Sequence, residues 1–291
     1  MDDIKKAIIP VAGLGTRFLP LTKAVPKEFF PLVDKPIIQY LIEEAKQSGI
    51  SEVIFVINST QKAIINYFKK DEALEKLLIK RKKDQLLKEL KEFEQTLDGM
   101  SFEMVIQRKP LGDGNAILQA AKFIGNEPVA VLFADDVVYG EEPAISQLMD
   151  IYKTCDCPII GLKKMPREKL PAYGVPAVEK IASRLYKIKE LIEKPEISKL
   201  PSDMAVVGKY ILTPDVFKYL KKAVPSKKGE VILAEVLSKM LLDGKMVYGY
   251  ELKGEWLECG DKEKWLKSFI YLCLKNPRFG PELREYIKQI K

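Results

Sequence analysis

The pattern of residues 1–68 constrains the fold of this chain more than any other feature. The short apolar run Ala7-Ile8-Ile9-Pro10-Val11 ends in a glycine-rich turn and reads as a buried strand. Over residues 36–46 the apolar side chains Ile37, Ile38, Tyr40, Leu41 and Ala45 return with helical spacing. Pro36 suits the first turn of that helix, and Gly49 suits its end. Val53-Ile54-Phe55-Val56-Ile57 is a second buried strand, and residues 61–68 read as a second helix. Strand, loop, helix, strand, helix is a βαβ arrangement, which implies parallel strands joined by right-handed crossovers.

The rest of the chain continues the theme with less regularity. Further strands are expected over residues 104–106, 129–133, 158–162, 185–188, 206–212 and 246–250. Helices are expected over 116–123, 215–222, 230–242, 262–274 and 281–290. Residues 72–97 predict one long charged helix with Leu74, Leu77, Leu78, Leu86, Leu87, Leu90 and Phe93 as its stripe. Within it, Lys80-Arg81-Lys82-Lys83 reads as a solvated face. At 291 residues and 47% hydrophobic, the chain can bury a large core. No repeat, low-complexity tract or Pro/Gly/Ser linker divides it. The expected fold is α/β and Rossmann-like, with a mixed, mostly parallel central sheet flanked by helices.

Composition removes several function classes. The formal net charge of +7 suits anionic substrates such as phosphates, although many soluble proteins are equally basic. No Arg-rich or aromatic-interleaved stripe argues for nucleic acid. No apolar run approaches the roughly 18 residues that span a bilayer. The charged start, Met1-Asp2-Asp3-Ile4-Lys5-Lys6, is unlike a signal peptide, so a cytoplasmic protein is expected. Cys155, Cys157, Cys259 and Cys273 fit no zinc spacing and read as reduced thiols. Histidine is absent, so the chemistry must proceed without the commonest general base.

Ala12-Gly13-Leu14-Gly15-Thr16-Arg17 follows the first strand. It is either a plain tight turn or a phosphate cradle, in which glycines bring N–H groups near an anion and Arg17 adds a forked cation. Phe18 stands where a dinucleotide fingerprint needs Gly or Ala, and no P-loop Gly-Lys-Ser/Thr follows, which argues against a Rossmann oxidoreductase. The proline-dense loop over residues 20–32 is stiff and carries Lys23 and Lys27, which favours a polyphosphate ligand.

Gly13-Leu14-Gly15-Thr16-Arg17-Phe18-Leu19-Pro20, with Pro26-Lys27-Glu28 and Pro31-Leu32-Val33-Asp34-Lys35-Pro36, resembles the signature of the nucleotidyltransferases that make nucleotide sugars. Within them it is most similar to the bacterial-type UTP–glucose-1-phosphate uridylyltransferases, and the resemblance runs over residues 5–275. Leu74-Glu75-Lys76-Leu77-Leu78 and the following basic stretch resemble an insertion typical of that branch.

The resemblance implies a single domain over residues 1–275. Its nucleotide-binding half would end near 140, a sugar-binding half would cover 141–260, and 261–291 would form a helical extension. It implies that Gly13, Gly15, Thr16 and Arg17 wrap a triphosphate, and that Lys27 neutralises leaving pyrophosphate. Ala12, Gly13 and Glu28 would lie near the base. Gln107 and Gly112, in Gln107-Arg108-Lys109-Pro110-Leu111-Gly112, would read uracil. A Gln amide can offer one donor and one acceptor to an imide edge; taken alone, Gln107 could equally be an exposed strand end. Asn115 stands where the family usually has His.

Asp135, after the 129–133 strand, maps onto the family's Mg²⁺-binding Asp, with Asp136 as a helper. Gly174, Glu193 and Val207 would line the sugar pocket, and Lys194 of Glu193-Lys194-Pro195 would bind the sugar phosphate. Glu258 stands where many relatives carry a second metal-binding Asp; its arm is one carbon longer, which leaves its metal role open. The implied activity joins UTP to glucose 1-phosphate and releases pyrophosphate, in a homo-oligomer of two or four copies. A thymidylyltransferase, a uridylyltransferase for another hexose 1-phosphate, and a non-catalytic nucleotide-sugar-binding regulator are the alternatives.

Overall fold

Apolar runs form strands and 3.6-periodic stretches form helices in a computed structural model that describes residues 3–59, 61–227 and 229–290. Met1 and Asp2, part of the charged start, lie outside the described residues. In chain order the strands are β1 (Lys6–Pro10), β2 (Pro31–Leu32), β3 (Lys35–Pro36), β4 (Glu52–Ile57), β5 (Ser101–Ile106), β6 (Val129–Leu132) and β7 (Asp136–Tyr139). They continue as β8 (Ile159–Lys164), β9 (Gly174–Ala182), β10 (Leu185–Glu193), β11 (Met204–Leu212), β12 (Tyr248–Glu251) and β13 (Glu255–Glu258). The helices are α1 (Ile37–Gln47), α2 (Ala63–Tyr67), α3 (Glu72–Lys80), α4 (Asp84–Thr96), α5 (Asp113–Gln119) and α6 (Ala121–Ile124). Then come α7 (Ala144–Cys155), α8 (Pro214–Lys222), α9 (Leu233–Leu242), α10 (Lys262–Lys275) and α11 (Gly280–Gln289).

Nine strands join in one sheet, in the order β5-β4-β1-β6-β11-β8-β12-β10-β9. β5, β4, β1 and β6 are mutually parallel. β11 then pairs antiparallel with both β6 and β8, β12 runs parallel to β8, and β10 and β9 finish the sheet antiparallel. The sheet is therefore mixed, as expected, with its parallel part at the N-terminal side.

Helices cover both faces, so the parallel strands are near-continuous apolar runs. Strand alternation divides them: Ile9 and Phe55 meet α1 and α7, while Ile8 and Ile54 meet α5, α8 and α9. Each such fully buried side chain contributes about 1.5–3 kcal/mol relative to exposure. One charged pair is sealed into this packing. Lys209 on β11 is completely buried, with its Nζ 2.8 Å from Glu44 Oε2 on α1, and Glu44 Oε1 accepts the Ile145 N–H of α7 at 3.1 Å.

The long helix predicted over residues 72–97 is two. α3 stops at Lys80, the chain turns through Lys82 at φ 50°, and α4 packs back against α3. A straight rod would leave its stripe without a partner; doubling back lets the two stripes share one. Even so, Leu74, Leu77 and Leu86 stay largely exposed. The Lys80–Lys83 charges are solvated, as read from the sequence. Among the described residues, no helix is long and apolar enough to cross a membrane.

Candidate functional site

The first loop leaves β1 at the carboxyl edge of the parallel strands, where open α/β sheets place ligands. Gly15 adopts φ +60°, and a Cβ there would lie 2.9 Å from Thr22 Cγ2, so the turn requires glycine. Thr22 Oγ1 donates to the Gly15 carbonyl at 3.0 Å. Asn58 and Gln61 donate to the carbonyls of Ala12 and Gly13, each at 3.3 Å. Among the described residues, no backbone acceptor takes the N–H groups of residues 12–17. Successive unpaired N–H groups form an anion-binding concavity. Arg17 projects beside them, exposed, with Nη1 3.5 Å from the Gly260 carbonyl.

A cavity of about 270 Å³ next to this loop is lined by Ala12, Gly13, Lys27, Glu28, Gln107, Gly112 and Asp135 among others. A smaller one of about 140 Å³ continues it past Gly15, Lys23 and Lys27. A third, of about 180 Å³, holds Arg17, Asp135, Asp136, Glu193, Lys194 and Glu258. Asp135 lines both the first and the third. A larger cavity, about 630 Å³, shares no lining residue with these and lies between α8 and α9.

Inside the first cavity the geometry refines two expectations. Gln107 is buried, but its Nε2 already donates to the Gly112 carbonyl at 3.1 Å and to Asn115 Oδ1 at 2.9 Å. Both amide hydrogens are spent, so only its acceptor remains for a ligand, and not the expected donor-acceptor pair. Gly112 sits at φ +94°, and a Cβ would lie 2.4 Å from the Val231 carbonyl. Glycine is needed there for the approach of the Val231 backbone.

Glu28 is 1% exposed and neither carboxyl oxygen has a hydrogen-bond partner. Burial pushes its carboxyl up to about 7, with the Lys27 ammonium opposing. A folded-state value above the unfolded one means that stability is lost as pH rises through about 7. Glu28→Gln, neutral at every pH, should therefore be more stable than the parent, and the gap should widen by about 2 kcal/mol between pH 5 and pH 8.5. Urea unfolding of both proteins at the two pH values measures this; a gap independent of pH would contradict it.

β6 ends in the two aspartates. Lys27 Nζ lies 2.8 Å from Asp135 Oδ2, and the Asp135 side chain remains 32% exposed. Burial favours the neutral Asp135 carboxyl, but Lys27 and its hydrogen bond outweigh that and hold it below the usual carboxylate range. Asp136 is occupied differently: it accepts Trp256 Nε1–H at 2.7 Å and the Gly208 N–H at 3.2 Å. Burial and the adjacent Asp135 charge push its carboxyl up to about 7.

Opposite Asp136 on the β7–β13 ladder stands Glu258. Its oxygens are taken by the Tyr173 hydroxyl at 2.5 Å and Lys264 Nζ at 2.8 Å. Lys264 also donates to the Tyr173 hydroxyl at 2.8 Å. Glu258 thus ties α10 to the start of β9, a structural duty that a shorter Asp would reach less easily.

On the sugar side expected from the sequence, Gly174 pairs with Glu193 across β9 and β10. A Cβ at Gly174 would lie 3.3 Å from Glu193 Oε2. Lys194, exposed at φ 48°, pairs with Glu193 at 3.0 Å. Val207 departs from expectation: its side chain is completely buried in the core, and Val206 is the one that lines the cavity. Strand alternation sends Val207 and Lys209 to the opposite face from Gly208.

Lys264, Trp256 and Gly208 complete the site; Gly208 belongs to Val207-Gly208-Lys209-Tyr210, which the resemblance sets along the sugar pocket, and Trp256 to the Glu258 segment, whereas Lys264 is not singled out from the sequence. Gly208 also carried a signal of its own, a glycine inside an otherwise apolar strand. All four cysteines are free thiols.

The sequence matches the nucleotidyl transferase family over residues 6–272. It is 40% identical over 290 residues to a UTP–glucose-1-phosphate uridylyltransferase of Staphylococcus haemolyticus, covering 100% of this chain and 99% of that one. The fold superposes on a UTP-bound UGPase from Acinetobacter baumannii with a TM-score of 0.90 and 33% identity, over 99% and 100% of the two chains. A UDP-glucose pyrophosphorylase complexed with UDP-glucose gives a TM-score of 0.84 and 34% identity, over 94% and 100% of the two chains. The chain belongs to the nucleotidyl transferase family.

Proposed function

We propose that the chain transfers a uridylyl group from UTP to α-D-glucose 1-phosphate, yielding UDP-glucose and pyrophosphate. The observation that carries this reading is Asp135, paired with Lys27 and lining the first and third cavities, so that a ligand in each would meet at one carboxylate. The names of the similar proteins supply the two substrates.

In this reading a phosphate oxygen of glucose 1-phosphate attacks the α-phosphorus of UTP, the bond to the β-phosphate oxygen breaks, and pyrophosphate departs. The attacking oxygen is already anionic, so no general base is needed, in keeping with a chain without histidine. The work is positioning and charge neutralisation. The N–H groups of residues 12–17, with Arg17, would hold the triphosphate, and Lys27 would face the departing charge. Glu28, Gln107 and Gly112 would border the base. Gly174 and Glu193 would border the hexose, and Lys194 would hold its phosphate. Val207 would contribute through its main chain alone.

The donor set suits Mg²⁺, which is commonly held by one or two carboxylates together with substrate phosphates. Asp135 is a partly exposed carboxylate in the right place, and among the described residues no group of three His, Cys, Asp or Glu forms an all-protein cage. When bound, the ion would neutralise phosphate charge beside Lys27. Glu258, already engaged by Tyr173 and Lys264, is left out of this role. The reading also takes residues 1–275 as one domain with nucleotide and sugar halves. It goes with a cytoplasmic homo-oligomer, a dimer or a tetramer.

Pyrophosphate release with Mg²⁺ tests it, using UTP, dTTP, ATP, GTP and CTP against glucose, galactose and N-acetylglucosamine 1-phosphates. Release with UTP and glucose 1-phosphate well above every other pair is expected. A different productive pair would move the substrate assignment, and silence throughout would contradict the reading.

A further inference from the structure

We propose that Asn115 selects the pyrimidine that this site accepts, by holding the Gln107 amide with its oxygen toward the base. The inference rests on the uridylyl-transfer reading and deepens it. Gln107 follows β5, where its own N–H is anchored on the Ile57 carbonyl at 2.8 Å, and its buried side chain lines the first cavity. The amide has two hydrogens and one acceptor oxygen. Both hydrogens are directed away from a ligand, one to the Gly112 carbonyl at 3.1 Å and one to Asn115 Oδ1 at 2.9 Å. A reversed amide would set Gln107 Oε1 against the Gly112 carbonyl, acceptor on acceptor, and Asn115 could meet it only by turning its own amide as well. The two neighbours therefore favour one orientation, and Asn115 is the one of them that acts through a side chain.

An outward amide oxygen discriminates by chemistry. Uracil presents an N3–H donor that this oxygen can accept. Cytosine presents a bare N3 with a lone pair, which the oxygen repels, and binding it would leave a buried acceptor unpaired. The contact does not touch C5, so it does not separate uracil from thymine. Asn115 is a positioning residue here, not a catalytic one.

Calorimetric titration of UTP and CTP into the full-length chain in Mg²⁺ buffer measures the selectivity directly. Asn115 lies on α5, and Ala favours helix, so Asn115→Ala should fold. The wild type is expected to prefer UTP, and Asn115→Ala should lower the UTP-over-CTP ratio about tenfold. Asn115→Asp keeps an acceptor oxygen and should retain the wild-type ratio within about threefold. An unchanged ratio in Asn115→Ala, including equal weakening toward both nucleotides, overturns the inference while leaving the uridylyl reading intact. A wild type that binds CTP as tightly as UTP, or binds neither, overturns both.

Discussion

Replacing Lys27 with Met should lower kcat/KM for pyrophosphate release from UTP and glucose 1-phosphate by about 100- to 1,000-fold, the usual loss when one preorganised charge-stabilising group is removed. Lys27 is held on a short turn after Pro26, its side chain 19% exposed and its ammonium 2.8 Å from Asp135. Its position is set before any substrate arrives, so no reorganisation is required as charge builds on departing pyrophosphate. Met preserves most of the stem and removes the charge. The ammonium also keeps Asp135 ionised next to Asp136, against the effect of burial. Without it, the charges of adjacent Asp135 and Asp136 lose their compensation and Asp135 becomes a poorer anion. Steady-state kinetics, with urea unfolding to verify the fold, measure the effect. A loss below about fivefold would mean that Lys27 neutralises nothing in the rate-limiting step.

Gly208→Ala is expected to destabilise the protein by about 2–4 kcal/mol and to depress activity with it. A Cβ at this position would lie 2.3 Å from Asp136 Oδ2 and 2.6 Å from Phe133 Cβ. The carboxylate could swing aside only by giving up its bonds to the Gly208 N–H and Trp256. Phe133 Cβ is attached directly to the main chain, so relief there would shift the segment that carries Asp135. Gly13→Ala is the natural control, because its Cβ would meet no atom within 4 Å and its stability should be nearly unchanged. Equal urea midpoints for Gly208→Ala and the parent would contradict the close approach described here.

These two residues show where a sequence is legible and where it is not. Lys27 lies in a contiguous, proline-stiffened motif, so its importance could be read locally. Its partner Asp135 is 108 residues away; it announced itself only by ending a strong apolar strand. Gly208 offered a faint signal, and the ion pair between Lys209 and Glu44, 165 residues apart, offered none.

The parallel strands β1, β4 and β6 were readable because burial on both faces demands unbroken apolar runs. β7 and β13 were not, since each is four residues long and, among the described residues, pairs only with the other. α7 carries helical spacing, with Ile145, Leu148, Met149 and Tyr152 buried on one side, yet lies outside the helices expected from the sequence. The break between α3 and α4 was hidden by good helix formers on both sides of Lys82. Gln107 lines the first cavity, but which of its atoms faces a ligand depends on Gly112 and Asn115, which only the folded loop brings together.

The most direct test of the account is ³¹P NMR of the chain incubated with UTP, glucose 1-phosphate and Mg²⁺. The account predicts that the glucose 1-phosphate resonance disappears in step with UTP, and that the diphosphate pair of UDP-glucose and free pyrophosphate grow in equal amounts. UTP consumed to UMP or UDP, with glucose 1-phosphate untouched, would show hydrolysis instead of transfer and would contradict it.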